Sequence, residues 1–350
     1  MKKIIKVEQV DLVTHITWMI NNICPNKCSY CPPINYSGSN HKYIWDNARQ
    51  VAEMILLRYP TIHLSIAGGE PTMSPFLLEL VKMFNAKGHY ISLTTNGSKS
   101  ADYWEELAPL LSHVSFSYHP EFETERYFEN LKTASKFTRC GTRVMMLSSH
   151  WDQCVSVYEK LKYGQGYPDA TPVRIVDWGN HNGTDYYTEE QLAWLSDPVH
   201  NIPPNKKLPV RDINNNKHIK PDASTYYFDD GTQQTMSNAS LFVNSGQTNF
   251  KGYSCDIGLR SLYIGADGRI RRGNCTAGGI IGHLDNPAEI MWPSNSIVCP
   301  HTLCSCSTDV IINKRSLDPV YRDITANHAK VVINKTQNIR QRLGHKVVLN

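Results

Sequence analysis

No run of eighteen or more apolar residues occurs in the chain, so no segment has the length of a bilayer-spanning helix. The opening MKKIIKVEQVDL is basic, but it lacks the apolar region and small-residue cleavage site of a secretion signal. A soluble, cytoplasmic protein without a membrane partner is expected. Internal repeats and strongly biased tracts are absent, which sets aside solenoids and plain linkers. Neither charge sign dominates. With 36 basic and 32 acidic side chains, a formal charge of +4 and 41% apolar residues, the composition excludes a disordered or supercharged polypeptide. A chain of 350 residues buries a substantial core, either as one elaborated α/β domain or as a large domain with a smaller one.

What the sequence does have is cysteine, ten in all. In a reducing compartment their arrangement points to metal or redox chemistry before disulfides. From residue 16 to about 180, β-rich runs alternate with helical patterns, the order of a parallel sheet covered by helices. Strands are expected at 16–23, 62–68, 90–96, 113–119, 143–149 and 172–178, with helices such as 47–59, 74–88 and 125–137 between them. Six such units predict an α/β fold, a partial (β/α)6 TIM-like barrel whose chemistry lies where the strands end. Residues 1–15 read as a lead-in and 181–252 as a bridge or insertion with a hairpin at Asp230-Gly231, a possible substrate cover whose Tyr226, Tyr227 and Phe228 could equally just pack. Residues 253–310 read as a small cysteine-containing hairpin-plus-helix module. Residues 311–350 form a basic, partly helical tail with eight Lys/Arg and two Asp.

Directly after the first strand, Cys24, Cys28 and Cys31 stand in a C-x3-C-x2-C spacing on a loop. Three thiolates this close can hold three irons of a [4Fe-4S] cube and leave the fourth open. A structural zinc knuckle is the alternative, and zinc wants four ligands. The second strand ends in Gly68-Gly69-Glu70-Pro71-Thr72. Glycines let a backbone approach a ligand closely, and a carboxylate pairs with an ammonium through a charge-assisted bond.

The spacing, its place after strand one, Tyr30 before the last cysteine and the Gly-Gly-Glu at the end of strand two together resemble the radical SAM superfamily. The resemblance implies a [4Fe-4S] cluster on Cys24, Cys28 and Cys31 with S-adenosylmethionine (SAM) chelating its open iron. Reductive cleavage then yields a 5'-deoxyadenosyl radical that takes hydrogen from an unactivated carbon, so these cysteines are the catalytic set. Tyr30, Gly68, Gly69 and Glu70 would contact SAM, with the Gly-Gly-Glu backbone and carboxylate receiving its ammonium. Alternation puts Ser92, Thr94 and Asn96 on one face of the third strand and Ser115, Ser117 and His119 on one face of the fourth. Asn96, Ser117 and Ser148 become candidates for SAM, although such residues also simply end strands or cap helices. His119, His150, Asp177 and Trp178, at the expected mouth, are candidate substrate contacts.

Five later cysteines, Cys255, Cys275, Cys299, Cys304 and Cys306, bracket the SLYIGADGRIRRGN hairpin and the CPHTLCSC run. This segment resembles the twitch or SPASM extensions of the same superfamily, which hold auxiliary [4Fe-4S] clusters. Five cysteines permit one such cluster. Cys255, Cys275, Cys304 and Cys306 are the preferred ligands and Cys299 the spare, a candidate hydrogen donor, with its exchange for Cys304 or Cys306 left open. A zinc ribbon is the alternative. Cys140 and Cys154 read as small buried residues.

An oxidoreductase or isomerase reaction follows from the resemblance, driven by an electron donor such as flavodoxin or ferredoxin. No room exists between the start of the chain and the first strand for a peptide-binding domain, which favours a small molecule, nucleoside or carbohydrate substrate over a ribosomal peptide undergoing thioether formation or epimerisation. The basic tail raises nucleic-acid base modification as a further option. A zinc-binding interaction module without catalysis is the reading from a different class.

Overall fold

The computed structural model describes residues 2–38, 44–122, 125–175, 187–204, 206, 223–236, 242–243 and 245–321. Its architecture is α/β, with two sheets. β1 (Ile4–Gln9) belongs to the smaller sheet. It is followed by β2 (Thr14–Met19), α1 (Trp45–Arg58), β3 (Ile62–Ala67), α2 (Leu77–Asn85), β4 (Tyr90–Thr95), α3 (Ala101–Leu107), β5 (His113–Tyr118), α4 (Glu125–Ser135), β6 (Arg139–Met145), α5 (Trp151–Tyr163) and β7 (Asp169–Val173). Strands β2 through β7 lie side by side in chain order and all pair in parallel, the six-strand run expected from the alternation. The outer strands of this sheet are not joined to each other among the described residues, so the sheet is open.

Two-residue periodicity sorts each strand. Ile16, Trp18, Leu64, Ile66, Ile91, Leu93, Val114, Phe116 and Val144 are buried on the helix side, against Val51, Ile55, Leu80, Phe84, Leu107 and Leu131. Fully burying one such side chain contributes roughly 1.5–3 kcal/mol. With that gain concentrated on one face, the opposite face is free to be polar. There His63 Nε2 meets Ser92 Oγ at 2.9 Å, His15 packs edge-on against His63, and in register follow Thr94 beside Ser115 and Ser117 beside Arg143. Strand ends and polar inner faces therefore come together at one end of the sheet.

The remaining strands differ from the sequence-based organisation. After α6 (Glu189–Leu195), capped by the reciprocal Thr188/Gln191 box, come β8 (Ser224–Phe228) and β9 (Gln233–Met236), the expected hairpin, with Gly231 at φ 80°. β10 (Ser254–Cys255), β11 (Ser261–Ile264), β12 (Arg269–Arg271), β13 (Ile280–His283), β14 (Ile297–Val298) and β15 (Lys314–Arg315) follow. The presumed lead-in over 1–15 contains β1, which is sandwiched between β15 and β8; its apolar Ile4 and Val7 bury in the small-sheet core. Tyr226, Tyr227 and Phe228 are buried as well, and the rings of Tyr226 and Phe228 pack on Phe242. The hairpin β11–β12 is not confined to a separate module: β11 pairs in parallel with β2 and extends the large sheet. Most of the basic tail lies outside the described residues. Among the described residues no helix is long and apolar enough to cross a membrane.

Candidate active site

Cys24, Cys28 and Cys31 occupy the loop that leaves β2, closed by Cys31 N–H donating to the Cys28 carbonyl at 3.0 Å. Burial pushes the Cys24 thiol up to about 11 and the Cys28 thiol up to about 12, and raises Cys31; mutual repulsion adds to the first two, so the three sulfurs sit within each other's field. Donors are in place for thiolates: the Asn26 backbone and Asn96 Nδ2 (3.7 Å) for Cys24, Asn35 Nδ2 (3.9 Å) for Cys31, and Tyr30 for Cys28. Glu121 Oε2 accepts from Ser29 N–H at 2.9 Å and fixes the loop against the end of β5. Tyr30 Oη lies 2.6 Å from His119 Nδ1. Burial lowers the His119 pKa to about 4 and raises that of Tyr30, so a neutral phenol and a neutral imidazole share this hydrogen bond.

The Gly-Gly-Glu segment is stapled to this loop. Gly69 N–H donates to Asn21 O (2.9 Å), Glu70 N–H to Ile23 O (2.7 Å), and Asn21 Nδ2 to Glu70 O (2.9 Å). A Cβ on Gly68, at φ 150°, would stand 2.5 Å from Asn21 O, and one on Gly69 2.5 Å from both Ile23 O and Asn35 O, so only glycine fits at either position. The Glu70 carboxylate is not an open acceptor. It is 1% exposed and accepts from Thr72 N–H (3.0 Å), Thr72 Oγ1 (2.6 Å), Thr95 Oγ1 (2.8 Å) and Asn96 N–H (2.7 Å). Glu70 thus ties the end of β3 to the end of β4 and sets the position of Asn96.

Asn96 and Ser117 are buried at the ends of β4 and β5, and Asn96 Nδ2 reaches the Cys24 sulfur. Ser148 lies in the short turn after β6, and His150, bonded at Nδ1 to Ser149 Oγ (3.0 Å), opens α5. Asp177 and Trp178 lie outside the described residues. Arg143 was missed by sequence reasoning. It stands beside Ser117 in register, is solvent-accessible, and burial lowers its pKa. It has no hydrogen bond or ion pair with the described residues, and a guanidinium offers five donors to a carboxylate or phosphate. Its signal was the Gly141/Arg143 alternation in an otherwise apolar run.

The later cysteines form a second site. Cys255, Cys275, Cys299 and Cys304 line one small cavity together with Asp309 and Lys314. Burial raises Cys275 and Cys304 to about 12 and also raises Cys255. Cys255 accepts from the backbone of Ile257 and Cys275 from that of Ala277, the same two-residue relation as Asn26 to Cys24. Thr276, the non-glycine residue at φ 61°, forms the turn that allows the contact at Cys275. Cys306, preferred over Cys299 on sequence grounds, does not line the cavity: Asn274 Nδ2 (3.2 Å) and Thr308 Oγ1 (2.9 Å) occupy its sulfur. Cys140 and Cys154 are elsewhere and donate to the carbonyls of Thr138 and Met145.

Zinc requires its ligands converged within ~2.0–2.3 Å of one ion. Among the described residues no three Cys, His, Asp or Glu side chains converge tightly enough to hold a single metal ion. A four-iron cube takes one thiolate at each corner and so suits a wider set. The thiols of both sites are donors that a [4Fe-4S] cluster takes, and zinc takes thiolates as well.

Residues 18–119 match the family model of the Radical SAM superfamily. The match supports that superfamily for the segment holding Cys24, Cys28, Cys31, the Gly-Gly-Glu, Asn96 and Ser117, and ends before the second cysteine group. The chain is 30% identical over 101 residues to a GTP 3',8-cyclase of Haemophilus ducreyi, covering 27% of this chain and 30% of that protein. It is 29% identical over 117 residues to a Methanocaldococcus jannaschii protein named for glycyl-radical enzyme activation, covering 33% and 44%. The chain thus spans less than half the length of these curated relatives. Among solved structures it is similar to native anSMEcpe with bound AdoMet and Cp18Cys peptide, with 15% identity, a TM-score of 0.49 and coverage of 93% of this chain and 99% of that one. Streptococcus suis SuiB bound to S-adenosylmethionine matches at 13% identity and a TM-score of 0.47, with coverage of 76% and 61%.

Proposed function

We propose that the protein is a radical SAM enzyme acting on a small polar substrate, with an auxiliary cluster at its second cysteine site. When bound, a reduced [4Fe-4S] cluster supplies the electron that splits SAM into methionine and a 5'-deoxyadenosyl radical, which removes hydrogen from a substrate C–H bond. Cys24, Cys28 and Cys31 hold that cluster. The Gly68-Gly69 backbone offers close approach to the methionine part, Asn96 and Ser117 contact SAM, and Arg143 receives its carboxylate through charge-assisted hydrogen bonds. Glu70 acts through the strand ends it joins. Tyr30 and His119 brace the loop against β5, and the accessible inner face around Ser117 and Arg143 admits the substrate.

The observation that carries this reading is the three-thiol loop with its sulfurs in one another's field, stapled to a Gly-Gly-Glu that tolerates no Cβ at either glycine. For the auxiliary cluster we favour Cys255, Cys275, Cys299 and Cys304, because these four share one cavity. A cluster ligated by four thiolates has no corner left for substrate, which suits electron transfer. The test is anaerobic reconstitution: about eight irons per chain and release of 5'-deoxyadenosine from SAM under strong reductant are expected. Binding of about two colourless zinc ions, with SAM left intact, would sink the proposal.

A further inference from the structure

Two ionisable side chains share the second cavity with its four thiols: Lys314 and Asp309, 3% and 2% exposed. Lys314 Nζ donates to the carbonyls of Asp309, Val310 (3.4 Å) and Ile312 (3.1 Å), and stands 5.1 Å from the Phe250 ring centroid. Three acceptors for three protons is the environment of an ammonium, and no carboxylate of the described residues lies within ion-pair distance of it. Asp309 Oδ2 accepts from Cys275 N–H at 2.7 Å, and its carboxyl group lies within the field of Lys314. A buried lysine and a buried carboxyl group therefore share the cavity with the four thiols.

A charge is not buried at this depth without compensation. The carbonyls solvate Lys314 but do not neutralise it. A cluster on four thiolates is net negative and gains one more negative charge on reduction, so a fixed cation beside it favours the reduced form, and a fixed anion the oxidised form. We propose that Lys314 is the counter-charge that sets the reduction potential of the cluster held by Cys255, Cys275, Cys299 and Cys304, with Asp309 opposing it. The inference rests on the auxiliary-cluster reading above. It assigns the cation a positioning role toward the electron: in an oxidation, the substrate radical gives its electron to the oxidised cluster and its proton to solvent, and an external acceptor of the ferredoxin class removes the electron afterwards.

The test uses the full-length chain with Cys24, Cys28 and Cys31 replaced by Ala, so that only the second site holds iron. If this background binds no iron, the auxiliary-cluster reading itself fails. If it binds about four irons, its midpoint potential is followed by an anaerobic EPR-monitored titration. Lys314→Met should lower the potential by ~59 mV or more, a tenfold change in the ratio of reduced to oxidised cluster for a one-electron couple. Asp309→Asn, which keeps an oxygen for Cys275 N–H, should raise it, and Lys314→Arg should stay near the parent value. Loosening of the fold would expose the cluster in both variants and move both potentials the same way. Equal-direction shifts, or no shift in Lys314→Met with its iron retained, would overturn the proposal. If Lys314→Met fails to bind iron, Asp309→Asn decides: a rise supports the assignment and an unchanged potential defeats it.

Discussion

The two cysteine sites are built from the same local device and closed in different ways. In each, a buried thiol accepts a backbone N–H from two residues ahead, Asn26 to Cys24 in one and Ile257 to Cys255 or Ala277 to Cys275 in the other. The first site takes all three thiols from a single loop of eight residues and leaves its open side toward the polar strand ends. The second draws four thiols from segments far apart in the chain and closes them into a small cavity with Lys314 and Asp309. A local loop offers three ligands and room for a cofactor, whereas a long-range cage completes four and leaves no corner. Under the function proposed above, that contrast would separate a site for chemistry on a bound molecule from a site for holding an electron.

The sharpest way to break the contrast is to remove one thiol from each side. Cys28→Ala should abolish SAM cleavage and lose about four irons, whereas Cys275→Ala should lose about four irons and keep some cleavage, as read by iron assay and chromatography of 5'-deoxyadenosine. Loss of cleavage in both would mean that the sites do not function separately. A narrower comparison lies within the second site: Cys299→Ala should lose about four irons, and Cys306→Ala should keep them. The reverse outcome would return Cys306 to the ligand set.

Gly69→Ala sets the staple against the loop. With backbone oxygens 2.5 Å from the new Cβ, the variant should lose stability by about 1–3 kcal/mol in denaturant unfolding and load the first site poorly, while the second site loads normally. The smallest effect concerns the brace. His119 has its pKa lowered to about 4 by burial, so between its unfolded value and pH 4 the unfolded chain binds the extra proton and the folded chain does not. Stability from this group is complete above about pH 6.5 and is lost as pH falls toward 4. Thermal melting should therefore drop across that window, with a shallower decline in His119→Gln.

Much of the first site was legible because its parts are close in sequence. Spacing alone identifies the three-cysteine loop, and the glycines announce a close backbone approach that the positions of Asn21, Ile23 and Asn35 explain. For Glu70 the sequence shows a carboxylate next to a binding loop, and only the tertiary structure locates its four donors, two of them from the end of the next strand. Arg143 and Lys314 escaped notice because a cation in a sequence resembles any surface cation. The place of Arg143 beside Ser117 and of Lys314 in the sulfur cavity exists only after the strands pair.

The choice between Cys299 and Cys306 shows the same boundary. Cys304 and Cys306, with one residue between them, reach different surroundings: Cys304 lines the cavity, whereas Asn274 and Thr308 hold the sulfur of Cys306. Cys299, five residues before Cys304, meets the same cavity through the bonds of Cys299 N–H to Tyr253 O (2.8 Å) and Cys304 N–H to Thr248 O (2.9 Å).

By itself the sequence determined the alternating α/β order, the three-thiol loop and the presence of a second cysteine group, since periodicity and short-range spacing are properties of neighbours along the chain. Only the tertiary structure decided that β1 and β15 join one sheet, that β11 extends the other beside β2, and which four sulfurs, with which buried charges, face one another. Those outcomes depend on strand pairing between residues hundreds of positions apart, where burial and hydrogen-bond satisfaction across the whole fold select the partners.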